Sequence, residues 1–311
     1  MKKIWGFGSA CVDIRICTAD YGPGYTAKLL AREKKMQGGG ACANFLAQVS
    51  RLGGEAGYLG KLGKDAIGDR ILAQLAEEKV DISHVIRDEK TLSPFNVAVY
   101  AGENWRRVGG FLLPNALGEM TEEELSLLAA PVEKGDIVYC EIGEIPLPQC
   151  ESFLRLVKEK GAVTLVDVDL DPVKQCGGTK EEIDAIFAHC DYLLPNTEAV
   201  QEMTGAKTPL DVLENLSRSC HARVIVTAGE QGAWLMGERE PKNISVSPVQ
   251  PVDTVGAGDA FHGGFAFALA RGMEVEKAVL LGCICGAHNC MTFGARDGML
   301  RAEELAGKDE W

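Results

Sequence analysis

Residues 251–271 read PVDTVGAGDAFHGGFAFALAR, a tight turn followed by a buried helix. Asp253 and Thr254 can cap the turn, and Gly256 and Gly258 let the backbone approach a ligand where a Cβ would collide. From Ala257 onward small and apolar residues (Ala260, Phe261, Gly264, Phe265, Ala268, Leu269) run to Arg271, and Gly272 suits the position just past a helix end. The first-turn N–H groups of such a helix lack backbone partners and sit at the positive end of the peptide dipoles. Such a terminus binds phosphate. Asp259 is the odd residue there. A carboxylate aimed at a phosphate site either moves a proton or is an acidic first-turn residue that stabilises the helix.

Outward from this stretch, strands and helices alternate. Strands are expected at 136–140, 162–166, 192–194 and 223–227, and helices near 147–160, 180–189, 197–204, 208–219 and 275–291. This alternation predicts a mainly parallel sheet with helices on both faces, and ligands beyond the carboxyl ends of its strands. Towards the N-terminus, Lys3 to Phe7 reads as a strand running into GSACVD, and 43–52 as a helix ended by Gly53. Gly63, Asp65 and Gly68 read as a structural turn before another helix. Alternation at Phe95, Val97 and Val99, then Gly102-Glu103-Asn104, predicts a hairpin. Together with strands from 14–37, the segment 93–112 forms a small lid.

The net charge of −13 argues against binding nucleic acid or an anionic membrane, since both need a basic face. Eleven cysteines without a CxxC pair or zinc spacing read as reduced thiols of a cytoplasmic protein. The opening MKKIWGFGSACVDI meets Gly6, Gly8 and Asp13 too early for a signal peptide, and no apolar run reaches membrane-span length. GFGSAC resembles part of a dinucleotide fingerprint but lacks its third glycine and crossover helix, which leaves little support for NAD.

DTVGAGDAFHGGF resembles the C-terminal signature of the ribokinase-like (PfkB) family of carbohydrate and nucleoside kinases, and the resemblance extends over about residues 4–305. It implies a three-layer α/β/α sandwich with a mainly parallel central sheet and a small β-sheet lid, residues 1–311 being one domain. In the family, the turn made here by Gly256, Ala257 and Gly258 is an anion hole, and Asp259 stands where the catalytic base does. Asp13, after the first strand, Gly39, Gly40 and Asn44 of a GGxxxN-like segment, and Glu144 stand where sugar hydroxyls are held. Asn196, Thr227, Gly229 and Gly232 match the nucleotide-binding segments. His288 and Asn289 are candidates for the adenine pocket, although a core histidine is an equally natural reading of His288. ATP with Mg²⁺ is the implied cofactor pair. A monovalent cation such as K⁺, bound by carbonyls in some members, would lie at Asp253 and Val255. Dimerisation through the lid strands is a further family expectation.

Two segments depart from the family pattern. In VDVDLDP (166–172), Asp169 and Asp171 replace the Asn and Arg of D-x-N-x-R, which favours a neutral sugar over an acidic one. After Asn196 the expected glutamate is Ala199, and a carboxylate comes one residue early, as Glu198. That shift rotates the side chain by about 100° on a helix, away from a Mg²⁺–water network. The expected activity is transfer of the γ-phosphoryl group of ATP to a hydroxyl of a small neutral sugar, ribose- or fructose-like. A nucleoside kinase of the same family and a catalytically weak sugar sensor remain open.

Overall fold

Ile4, Trp5 and Phe7 are all buried, the pattern of a strand covered on both faces. A computed structural model describes residues 2–19, 21, 28–102, 106–112, 118, 120–143, 145–168 and 170–305. The chain runs β1 (Ile4–Phe7), β2 (Cys11–Thr18), β3 (Glu33–Gly39), α1 (Ala41–Arg51), β4 (Ala56–Leu59), β5 (Lys61–Gly63) and α2 (Ala66–Glu77). Next come β6 (Ile86–Asp88), β7 (Phe95–Ala101), β8 (Arg106–Leu112), α3 (Glu122–Ala129), β9 (Ile137–Ile142), α4 (Leu147–Glu159) and β10 (Val163–Val168). Then follow α5 (Lys180–Ala188), β11 (Tyr192–Pro195), α6 (Gln201–Thr204), α7 (Pro209–Ser219), β12 (Arg223–Thr227) and β13 (Ala233–Met236). The last elements are β14 (Pro241–Ile244), α8 (Ala257–Ala270), α9 (Val275–Asn289) and α10 (Ala302–Leu305).

Eight strands form the central sheet in the order β14-β13-β12-β11-β10-β9-β1-β4. From β4 to β12 neighbours are parallel, and β13 and β14 close one edge antiparallel. Strand alternation divides the core. Ile137 and Tyr139 of β9 face a cluster with α1, α8 and α9, whereas Val138, Cys140 and Ile142 face α3, α4, α5 and α7. This is the expected three-layer arrangement. A second sheet, β3-β2-β7-β8, supplies the lid strands. No helix among the described residues is long and apolar enough to cross a membrane.

The helix expected from the opening motif is α8, buried without a break from Ala260 to Ala268. It packs between α1 and α9 through its glycine pair. A Cβ on Gly263 would lie 2.9 Å from the Phe45 carbonyl, and one on Gly264 would lie 2.7 Å from Cys285 Sγ. Small residues there are the condition for close helix approach.

The sequence reading did not include β6, β14 or α10, and two further differences have a local cause. Helix α3 was not expected, yet it carries a capping box between Thr121 and Glu124. The helix expected over 197–204 is reduced to α6. Asn196 Oδ1 accepts the Ala199 N–H at 2.8 Å, holding 197–200 as a turn.

Candidate active site

A cavity of about 840 Å³ lies between the second sheet and the carboxyl ends of the central strands. Gly256, Ala257, Gly258 and Asp259 line it at the N-terminus of α8, which has no side-chain cap. The two glycines of this turn have different reasons. Gly256 has φ 80°, and a Cβ on it would sit 2.3 Å from the Ala295 carbonyl. A Cβ on Gly258 would meet nothing within 4 Å. Among the described residues no neighbour requires Gly258 to be a glycine, and it lines the cavity.

Asp259 is held from α1. Asn44 Nδ2 donates to Asp259 Oδ2 at 2.7 Å, and Asn44 Oδ1 accepts from Arg296 Nε at 2.6 Å. Arg296 Nη2 also donates to the Gly39 carbonyl at 3.1 Å. Asn44 therefore sits in the interior of α1 as a bridge, not as its cap. Gly40 is the N-cap residue. Arg296 was missed by sequence reasoning, since it directly follows Gly294-Ala295 and belongs to no motif of its own. Desolvation draws its pKa down, while Glu78 and Asp13 act the other way.

The N-terminus of α1 is closed, in contrast to that of α8. Ser9 Oγ accepts the Ala41 N–H at 2.9 Å, and the buried Glu141 carboxylate accepts from Cys42 N–H at 3.2 Å. Glu141 also accepts from the Ser9 backbone and hydroxyl. Asp13 of β2 accepts from Asn96 Nδ2 of β7 at 3.2 Å. A Cβ on Gly39 would approach the Asp13 carboxylate to 2.2 Å, so this glycine makes room for the acid. Asp13, Gly40, Asn44 and Asp259 share the cavity wall. Glu144, expected beside them, lies outside the described residues.

Asp167 at the end of β10 accepts from Tyr139 Oη at 2.6 Å, and His262 Nδ1 stands 3.3 Å from it. His262 is one turn along α8 from Asp259 and lines the same cavity. Burial pushes the Tyr139 hydroxyl well above its usual value, and the charge of Asp167 adds to this, so it stays a donor.

Asn196, Thr227, Gly229 and Gly232 also line the cavity. The helix wall differs from the expectation. It is built by Cys283, Gly286, Ala287 and Cys290, not by His288 and Asn289. The spacing i, i+3, i+4, i+7 selects one helix face, and 288 and 289 fall off it. His288 Nδ1 lies 2.8 Å from the Gly298 carbonyl, and Asn289 is fully buried behind the turn.

Three acidic residues named in the sequence reading are placed away from a ligand role for their side chains or in bonds of their own. Glu198 is exposed on the 197–200 turn and does not line the cavity. Asp171 turns into its own loop, accepting from Val173 N–H at 2.9 Å and Lys174 N–H at 2.7 Å. Its partner in the motif, Asp169, lies outside the described residues. Asp253 accepts from the N–H groups of Val255 and Gly294, each at 3.1 Å, and stands 3.5 Å from Arg15 Nη2.

The described lining carries Asp13, Glu141, Asp167, Glu230 and Asp259 against Arg15 as its lysine-or-arginine cation. Arg15 is buried, with its guanidinium 3.8 Å from the Phe293 ring centre. Among the described residues, no group of three or more His, Cys, Asp or Glu is placed to hold a metal.

With this geometry in hand, the comparisons with known proteins converge. The family model described as pfkB family carbohydrate kinase matches residues 1–302. A ribokinase of Lactococcus lactis is 26% identical over 99% of this chain and 97% of its own length. A crystal structure of ribokinase from Thermotoga maritima superposes with a TM-score of 0.81 at 26% identity, covering 98% of each chain. Aminoimidazole riboside kinase from Salmonella enterica, solved with aminoimidazole riboside and an ATP analogue, gives a TM-score of 0.78 at 26% identity, covering 97% of this chain and 98% of that one.

Proposed function

Because this chain belongs to the pfkB family of carbohydrate kinases, we propose that its cavity transfers the γ-phosphoryl group of ATP to a hydroxyl of a small neutral sugar, ribose- or fructose-like. Membership makes it a phosphotransferase with an alcohol acceptor. The observation that carries the finer reading is the Asp259 carboxylate, oriented by Asn44 beside the uncapped mouth of α8.

In this reading Asp259 takes the proton from the acceptor hydroxyl, the kind of step typically worth about 10²–10⁴-fold. The amides of residues 256–259 face the position where charge grows during transfer, and the open side of Gly258 leaves room for the phosphoryl oxygens. ATP, when bound, supplies the phosphoryl group. Asn196, Thr227, Gly229 and Gly232 line the part of the cavity that would hold its nucleoside and inner phosphates. Mg²⁺ would be held by the phosphates and water, since that ion keeps several waters and the described residues offer no carboxylate cage.

Asp13, Asn44 and Asn96 are the groups for the sugar hydroxyls. Five lining carboxylates against one lining guanidinium disfavour an acidic acceptor, which supports a neutral one. The second sheet then acts as the lid, excluding water from the transfer. Exposed Leu30 and Met36, before and on its edge strand β3, suit a second copy of the chain. The eleven free cysteines fit a cytoplasmic setting. Nothing in the cavity lining offers a basic path for nucleic acid.

A second reading, a sugar sensor with weak turnover, is favoured by one observation: Glu198 is off the cavity. An ATP-coupled assay over neutral pentoses, hexoses and nucleosides, with Asp259→Asn as control, separates the readings. Turnover abolished by the substitution supports the sugar or nucleoside kinase according to the preferred acceptor. Sugar binding without turnover supports the sensor.

A further inference from the structure

The family resemblance allows a monovalent cation beside the turn, held by carbonyl oxygens at Asp253 and Val255. The side chains of this protein do not fit that ion. We propose that Asn289 takes its place, fastening the anion-binding turn from behind, so that the kinase reaction inferred above runs without K⁺ or Na⁺. This inference rests on the proposed kinase activity for its catalytic meaning, and on geometry alone for the site itself.

A buried carbonyl oxygen needs a donor or a cation. Asn289 Nδ2 donates to the Val255 carbonyl at 3.2 Å and to the Ala295 carbonyl at 3.1 Å. A side-chain amide has two N–H donors, and both are committed here. The opposite amide orientation would set Oδ1 against two carbonyl oxygens, so the two acceptors fix the assignment. Asn289 is fully buried, which excludes exchange of its donors with bulk water. The location matters as much as the bonds. The Ala295 carbonyl is the atom that a Cβ on Gly256 would strike, so the amide ties the two chain segments that meet directly behind the anion hole.

The side chain of Asp253, whose carbonyl is the other expected ligand, already faces a fixed cation. The Asp253 carboxylate accepts the N–H groups of Val255 and Gly294 and faces the guanidinium of Arg15 at 3.5 Å. Arg15 is a fixed cation, with its guanidinium 3.8 Å from the Phe293 ring centre and 5.0 Å from that of Tyr100. A mobile K⁺ would meet a donor pair on one side and a like charge on the other. Asn289 is thus a positioning residue, acting on the amides of 256–259 through Val255 and Ala295.

The test compares the full chain and Asn289→Asp in KCl, NaCl and tetramethylammonium chloride at equal ionic strength, reading melting temperature and sugar-kinase kcat/KM. The substitution keeps the shape but turns a donor pair into a carboxylate facing two carbonyl oxygens, which then require a cation between them. The natural protein is expected to melt and turn over alike in all three salts. The variant is expected to gain in both with K⁺ or Na⁺, by about tenfold in kcat/KM, within the usual span for coupling between sites. Stabilisation of the natural protein by K⁺, or indifference of the variant to it, overturns the proposal. If Asn289→Asp does not fold in any salt, Asn289→Ala, which removes the donors and leaves space, takes its place with the same expectations. Absence of turnover in every salt would count against the kinase reading only, because the melting temperatures still decide the cation question.

Discussion

Asn44 Nδ2 lies 2.7 Å from Asp259 Oδ2, across 215 residues of sequence, and the amide's other end receives Arg296. One side chain therefore bridges the candidate base and a buried cation. Asn44→Ala leaves both groups without this partner. A hydrogen bond to a charged group is worth about 1.5–3 kcal/mol, so kcat is expected to fall by about 10–100-fold with a smaller change in the KM for ATP. Steady-state kinetics on the preferred sugar checks this.

Gly258→Ala separates folding from chemistry. The new methyl meets no atom of the described residues within 4 Å, and alanine is favoured over glycine in a helix by about 1 kcal/mol. The variant is expected to melt at the same temperature or higher and yet lose most of its activity, because the methyl occupies the space assigned to the phosphoryl oxygens. Unchanged kcat would remove Gly258 from the anion hole.

Asp13→Asn tests the acceptor side. Exchange of the carboxylate for an amide weakens charge-assisted bonds to a sugar hydroxyl. The KM for the sugar is expected to rise by about 10–100-fold, while the KM for ATP stays near its natural value. Equal losses in both would place Asp13 in a general structural role.

Asp81 gives a stability prediction far from the cavity. Burial acts to raise its pKa, but the Lys3 ammonium at 2.6 Å and the Ser83 hydroxyl and N–H override it and hold the carboxyl well below the usual range. A folded pKa below the unfolded value of about 3.9 means that the contribution is fully present above that pH. It is lost as the pH falls towards the folded value. Asp81→Asn is expected to cost about 1 kcal/mol or less at neutral pH, since solvent screens the pair. Denaturant melts should show that difference shrinking below about pH 4.

The sequence disclosed most where a local rule is strong. The turn and helix of 251–271, the strands that end at the cavity, and Asp13, Asn44 and Asp259 are all carried by short-range patterns. Gly53 and Gly272 have the positive φ that a helix end asks of glycine. The failures have geometric causes. His288 and Asn289 sit next to the true lining residues in sequence but on other faces of α9. Glu198 was expected on a helix that Asn196 replaces with a turn. Arg296 and Glu141 were not singled out because their roles come from partners at distant positions, Asn44 and Ser9, which only folding brings close. Asp171 stands where the family pattern has an arginine, and its hydrogen bonds are those of a loop residue.

The arm formed by β2 and β3 leaves the body after Phe7 and returns at Gly40, and its two ends are joined at one spot. Cys11 pairs with Gly39, and Ser9 is bonded to both Glu141 and the start of α1. Farther out the same strands are tied to the body as well, by Arg15 to Asp253, Lys35 to Asp297 and Arg70 to the Met36 carbonyl. Asp13 is two residues from Cys11. Its carboxylate therefore belongs to the anchored part of the second sheet, and the proposed hold on an acceptor hydroxyl would rest on that fixed frame.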